Sequence, residues 1–132
     1  MKNNFLKLVV ISCSFLLFGC GASRPTPQQL TSANYGERPK NIESLITDHV
    51  KETLIDPDSM KNLKIGQPQR GWTLTNYGKT ILYGYWVRYS LNAKNRFGGY
   101  TGQQQQCAFI INDRIDQSWS EGDCDYFIRV VE

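Results

Sequence analysis

Residues 79–93 read Lys-Thr-Ile-Leu-Tyr-Gly-Tyr-Trp-Val-Arg-Tyr-Ser-Leu-Asn-Ala. Ile81, Tyr83, Tyr85, Val87, Tyr89 and Leu91 stand at alternate positions, and a period of two puts them all on one face of a strand. β-Branched and aromatic residues suit such a half-buried pleated surface. Thr80, Arg88, Ser90 and Asn92 make the opposite face polar, although Leu82 and Trp86 interrupt it. Gly84 marks a bulge or a close approach of another backbone.

Upstream the period changes. Ile42, Leu45, Ile46, His49, Val50, Thr53 and Leu54 follow the spacing of an amphipathic helix, with Asn41 as N-cap and Glu43 and Glu52 on the outer side. Asp56-Pro57 ends it, because the residue before proline avoids the helical region. Strands are expected at Met60–Pro68 and, after a turn at Arg70-Gly71, at Trp72–Asn76. Downstream of the long strand lies the glycine-rich loop Asn92–Gly102. Strands follow at Gln105–Ile111 and Ile115–Trp119, joined by a turn at Asn112-Asp113. Ser120–Asp123 reads as a turn and Tyr126–Val131 as a last strand. The expected fold is α+β: one N-terminal helix packed on an antiparallel sheet of four to five strands.

The chain has 132 residues, room for one small domain. Its front is different in kind. Lys2 and Lys7 precede Leu8–Phe18, which is apolar except for two serines. Eleven helical residues reach only ~17 Å, about half a hydrocarbon core, so this is a secretory signal rather than an anchor helix. It ends Leu17-Phe18-Gly19-Cys20, which resembles the lipobox of bacterial lipoproteins. Val10-Ile11-Ser12-Cys13 fits locally but leaves too few apolar residues after Lys7. The resemblance implies cleavage before Cys20 and palmitate-type acylation of its thiol. Gly21, where aspartate would favour the inner membrane, implies the outer membrane, with the domain facing the periplasm. The expected division is signal 1–19, lipidated cysteine and flexible linker 20–40, and folded domain 41–132. Residues 21–40, with Pro25, Pro27 and Pro39, read as an extended linker that would span ~65 Å.

The precursor carries 15 basic and 12 acidic residues, a net charge of +3. Lys2 and Lys7 leave with the signal, so the mature chain is nearly neutral and lacks the basic footprint of a nucleic-acid binder. Cys13 also leaves and Cys20 takes the lipid. Cys107 and Cys124 then form a disulfide in the oxidising periplasm, worth ~3 kcal/mol by chain entropy.

The catalytic inventory is poor. His49 is the one histidine and lies on the inner helix stripe, where it reads as a packed or rim residue; it leaves no triad base and no His/Cys metal site. No catalytic residue, metal or cofactor is assigned. Asp113, Asp116, Glu121, Asp123 and Asp125 are the stock from which a carboxylate-dependent peptidoglycan hydrolase would draw its pair.

The distinctive stretch is the loop, with Asn92, Lys94, Asn95, Arg96, Phe97, Gly98, Gly99 and Tyr100 as the binding candidates. Its glycines let backbone N–H groups converge on an anion, Lys94 and Arg96 add charge, and Phe97 and Tyr100 offer stacking surfaces. Leu54-Ile55-Asp56-Pro57-Asp58-Ser59 together with Asn92-Ala93-Lys94-Asn95 and Phe97-Gly98-Gly99-Tyr100-Thr101-Gly102 resembles a motif pair of small exported bacterial proteins and lipoproteins of unknown function. That resemblance implies no activity. The expectation is a non-enzymatic envelope lipoprotein: membrane-bound through its lipid, partnered by an envelope protein or glycan, with no nucleic acid. A periplasmic inhibitor or ligand-binding module using loop 92–102 is the alternative, ahead of the hydrolase.

Overall fold

The computed structural model describes residues 24–75 and 77–131. The expected signal segment 1–19 and the lipobox-like Leu17–Cys20 lie outside them. In chain order the elements are α1 (Pro27–Ser32), α2 (Ile42–Thr53), a 3₁₀ turn (Pro57–Ser59), β1 (Lys61–Ile65), β2 (Gln69–Thr75), β3 (Thr80–Asn92), β4 (Gln104–Ile111), β5 (Arg114–Ser120) and α3 (Glu121–Phe127). The architecture is α+β with a five-stranded sheet, antiparallel at every pairing.

β3 organises the sheet. β4 pairs along one edge, and β5 pairs with β4. The other edge of β3 is shared: β2 takes its first half, from Thr75↔Thr80 to Gln69↔Trp86, and β1 its second, from Ile65↔Tyr89 to Lys61↔Asn92. Between β1 and β2, Gly66 N still donates to Arg88 O at 2.8 Å, and Pro68, which has no N–H, breaks the run. Five strands therefore make a sheet four strands wide. Asn112 and Asp113 join β4 to β5 with φ of 49° and 56°, the paired positive values of a two-residue hairpin turn. Gly84 is a close approach, since a Cβ there would overlap the Ile110 carbonyl oxygen.

Each face of the sheet has its own core. Ile46 and Val50 of α2 pack on Val87, Tyr89, Leu91, Ala108 and Ile110. That joins the helix stripe to the odd-numbered face of β3, and each such side chain contributes roughly 1.5–3 kcal/mol on burial. The opposite face buries Trp86 and Phe109, with Leu82, Trp119 and Phe127 around them. Leu82 and Trp86 are thus the start of a second core. Trp86 lies 4.9 Å from Phe109 and 5.2 Å from Trp119 between ring centroids, and its Nε1–H donates to Trp72 O.

Three expectations are corrected. Where a turn and a last strand were expected over 120–131, α3 forms instead. The Cys107–Cys124 disulfide, with Cα atoms 5.8 Å apart, pins it over the aromatic face, and Phe127 stacks on Trp119. Residues 129–131 only touch the sheet: Trp72 N donates to Arg129 O, and Val131 N to Arg70 O. Gly71 permits this approach, because a Cβ there would overlap Arg129 O and the Trp86 ring.

Among the described residues three α-helices form where one was expected. The third correction concerns residues 24–40, which lie against the domain instead of hanging as a linker. Thr26 and Gln29 form a reciprocal capping box at the start of α1. Tyr35 is buried edge-to-face on Tyr83 at 5.6 Å, and Tyr85 donates from its hydroxyl to Gly36 O. Pro25 and Pro39 are buried as well. A polar, proline-rich composition has no apolar period, so these scattered contacts leave no signal in a stretch that reads as free.

Candidate functional site

The Asn92–Gly102 loop is the hairpin between β3 and β4. Lys94 and Tyr100 face each other in an isolated antiparallel bridge. Gly98 N donates to Asn95 O at 3.0 Å and Asn95 N to Gly99 O at 2.9 Å. With Gly98 at φ 79°, the tip is a turn closed by a glycine in the left-handed region. Asn95 locks it from inside, its Oδ1 accepting from Phe97 N at 2.9 Å and Gly99 N at 3.2 Å.

That bonding corrects the anion-cradle expectation. The amides of Phe97, Gly98 and Gly99 are already satisfied by Asn95, so they do not converge on a ligand. What the tip presents is side chains. Phe97 is 86% exposed, with the Arg96 guanidinium 5.7 Å from its ring centroid. Tyr100 is flanked by Lys61 Nζ at 4.4 Å and Lys94 Nζ at 5.7 Å. Two aromatic surfaces thus carry three cations, an arrangement suited to a planar or apolar group bearing negative charge.

The base of the hairpin is fastened by the Asp56–Ser59 turn. Ser59, 4% exposed, donates from its hydroxyl to Asp56 O at 2.7 Å and accepts from Lys94 N at 3.0 Å. The segments 54–59 and 92–102 therefore meet. Gln103 adds a second fastening, donating to Asn62 O and Ser90 Oγ, both at 3.0 Å. Asn92 Oδ1 is buried at the base without a partner among the described residues.

Sequence reading named eight loop residues, Asn92 and 94–100, but not Lys61 or Ser59. Lys61 is brought to Tyr100 by strand pairing, which no local spacing reveals. Ser59 carried a signal, the Asp-Pro-Asp-Ser turn itself, though not the identity of its partner.

The other chemistry-bearing groups do not assemble. Asp113 and Asp116 lie at one end of β5 and Glu121, Asp123 and Asp125 beyond the other; seven strand residues span about 23 Å. The five carboxylates are thus split between the two ends of β5 rather than gathered in one group. Asp125 is held by Arg88 at 2.7 Å. His49 Nε2 lies 3.1 Å from Ser118 Oγ, and no carboxylate bonds that ring among the described residues. Among the described residues no three His, Cys, Asp or Glu side chains gather as a metal site, and no helix is long and apolar enough to cross a membrane.

No family model matches the chain, and no curated protein or solved structure matches it either.

Proposed function

We propose that the protein is a bacterial cell-envelope lipoprotein, acylated on Cys20 and held at the outer membrane, whose domain is a non-enzymatic binding or assembly module. The hairpin tip is its contact surface, and its partner is an envelope protein or glycan. One observation carries the reading: a turn closed by its own Asn95 side chain projects Phe97 into solvent and sets Tyr100 between two lysines. A tip built only to connect strands has no need to expose an aromatic ring, whereas a contact surface gains from a rigid one. The lipobox Leu17-Phe18-Gly19-Cys20 supports the anchor.

A photo-crosslinking residue in place of Phe97, in intact cells, tests the reading. A defined adduct is expected, and Lys94→Ala/Arg96→Ala should reduce it at least fivefold. An unchanged adduct in that variant contradicts the role of the tip. Palmitate labelling tests the anchor separately; undiminished incorporation into Cys20→Ala would refute it.

A further inference from the structure

The hairpin tip stands at the C-terminal end of β3. At the other end of that strand is a second exposed surface that the proposed binding role leaves unused. A cavity of ≈ 420 Å³ opens there, lined by Arg24, Trp72, Leu74, Tyr77, Tyr126 and Arg129 among others. Its rim is apolar and wet at once: Tyr77 is fully exposed, Tyr126 69% and Leu74 38%. Arg129 lies 5.9 Å over the Tyr126 ring. Lys79, the next cation, is exposed beside the same turn.

Arg24 decides what faces this surface. Four residue steps separate it from Cys20, and four extended steps reach at most ~14 Å. Pro25, the next residue, is buried on the domain, so the chain beyond Arg24 adds no slack. We propose that this end of the sheet is the membrane-facing end, seated on a phospholipid headgroup layer that contains anionic lipid. The proposal rests on acylation of Cys20.

The chemistry fits that occupant. A headgroup layer is about 5–7 Å deep, so a surface tethered within ~14 Å of an acylated cysteine is at or just above it. Tyrosine is enriched at this level because its ring is apolar and its hydroxyl wet. Arg24, Lys79 and Arg129 complement the negative surface potential of anionic lipid, and arginine can bury its stem while its head reaches phosphate. Of the acids near in sequence, Asp123 and Asp125 precede Tyr126 in α3, with Asp125 paired to Arg88, and Glu132 follows Arg129 by three residues.

The orientation has a consequence. β3 is thirteen residues long and spans about 40 Å. With Tyr77 at the headgroups, Phe97 points away from the bilayer at roughly that distance. The strand is then a strut between the anchored end and the binding end.

The test uses full-length acylated protein in phosphatidylethanolamine/phosphatidylglycerol vesicles. Cys20 is blocked by acyl chains and Cys107 and Cys124 by their disulfide, so Tyr77→Cys or Phe97→Cys supplies a lone thiol for a fluorophore. Headgroup spin-labelled lipid should quench the label at 77 at least fivefold more than the label at 97. Arg24→Glu/Arg129→Glu should reduce quenching at 77 at least twofold while the protein still floats with the vesicles.

Equal quenching at both positions in floating protein overturns the orientation and leaves the anchor intact. A label at 77 shielded from both lipid quencher and aqueous iodide means a second copy covers the groove, and also overturns it. Protein that fails to float refutes the anchor and this proposal with it.

Discussion

The two faces of the sheet are closed by different means. On one, the twelve-residue α2 lays an aliphatic stripe, with Ile46 and Val50 at its centre, on Val87, Leu91 and Ile110. On the other, α3 has only seven residues and buries Cys124 against Trp86 and Phe109. A helix of that length is unstable alone, because nucleation costs more than two turns return. α3 is held by tertiary means: the Cys107–Cys124 bond, Phe127 stacked on Trp119 at 5.1 Å, and the Arg88–Asp125 pair at the rim. One face is therefore maintained by a repeating local pattern and the other by a few long-range contacts. Damage should spread differently from each.

The largest separation comes from Trp86→Ala, which removes the ring that both Phe109 and Trp119 contact. It should cost about 3–5 kcal/mol in denaturant titration. If α3 depends on that face, amide exchange in 121–131 should accelerate more than in α2. Next is Cys107→Ser/Cys124→Ser, expected to cost ~3 kcal/mol. In a still-folded variant, exchange should rise across α3 and leave 42–53 protected; uniform loss across both helices would erase the contrast.

Alkali attacks the other face. Tyr89 is buried beneath α2, and burial pushes its phenol from 10.0 up to about 12. Its neutral form is the one the fold accommodates, so its stabilising effect is full below pH ~10 and is lost as pH rises toward ~12. Melting temperatures in that window should fall for the wild type and fall less for Tyr89→Phe. The smallest effect is local to the β3–β4 hairpin. Ser59→Ala orphans Lys94 N–H and should cost about 1–2 kcal/mol. It should raise exchange at 94–100 without affecting α3.

This contrast also governs what could be read in advance. The α2 stripe and the alternation in β3 are periodic, and each predicts its own buried face. The second core offers no period: Leu82 and Trp86 look like exceptions in a polar face until Cys124 is known to sit above it. Tyr126–Val131 resembles a strand by composition, but the disulfide and the Trp119 ring hold a helix up to Phe127, and beyond it only Val130 bridges to the sheet, at Gly71. Residues 24–40 likewise look free because the contacts holding Tyr35, on Tyr83 and near Gly36, depend on where β3 lies. At the candidate site, the glycines and aromatics of 92–102 were visible as a group. The direction of their amides was not, since a single rotamer of Asn95 turns an open cradle into a closed turn.

The two ends of β3 differ as the two faces do. One is fixed by a closed hairpin, and the other depends on what lies four residues before Arg24. The most direct test is therefore the intact mass of the protein extracted from membranes, with sequencing of its N-terminal peptide. The account predicts a mature chain beginning at Cys20 and carrying fatty acyl chains. A terminus elsewhere, with no acyl mass, would contradict it.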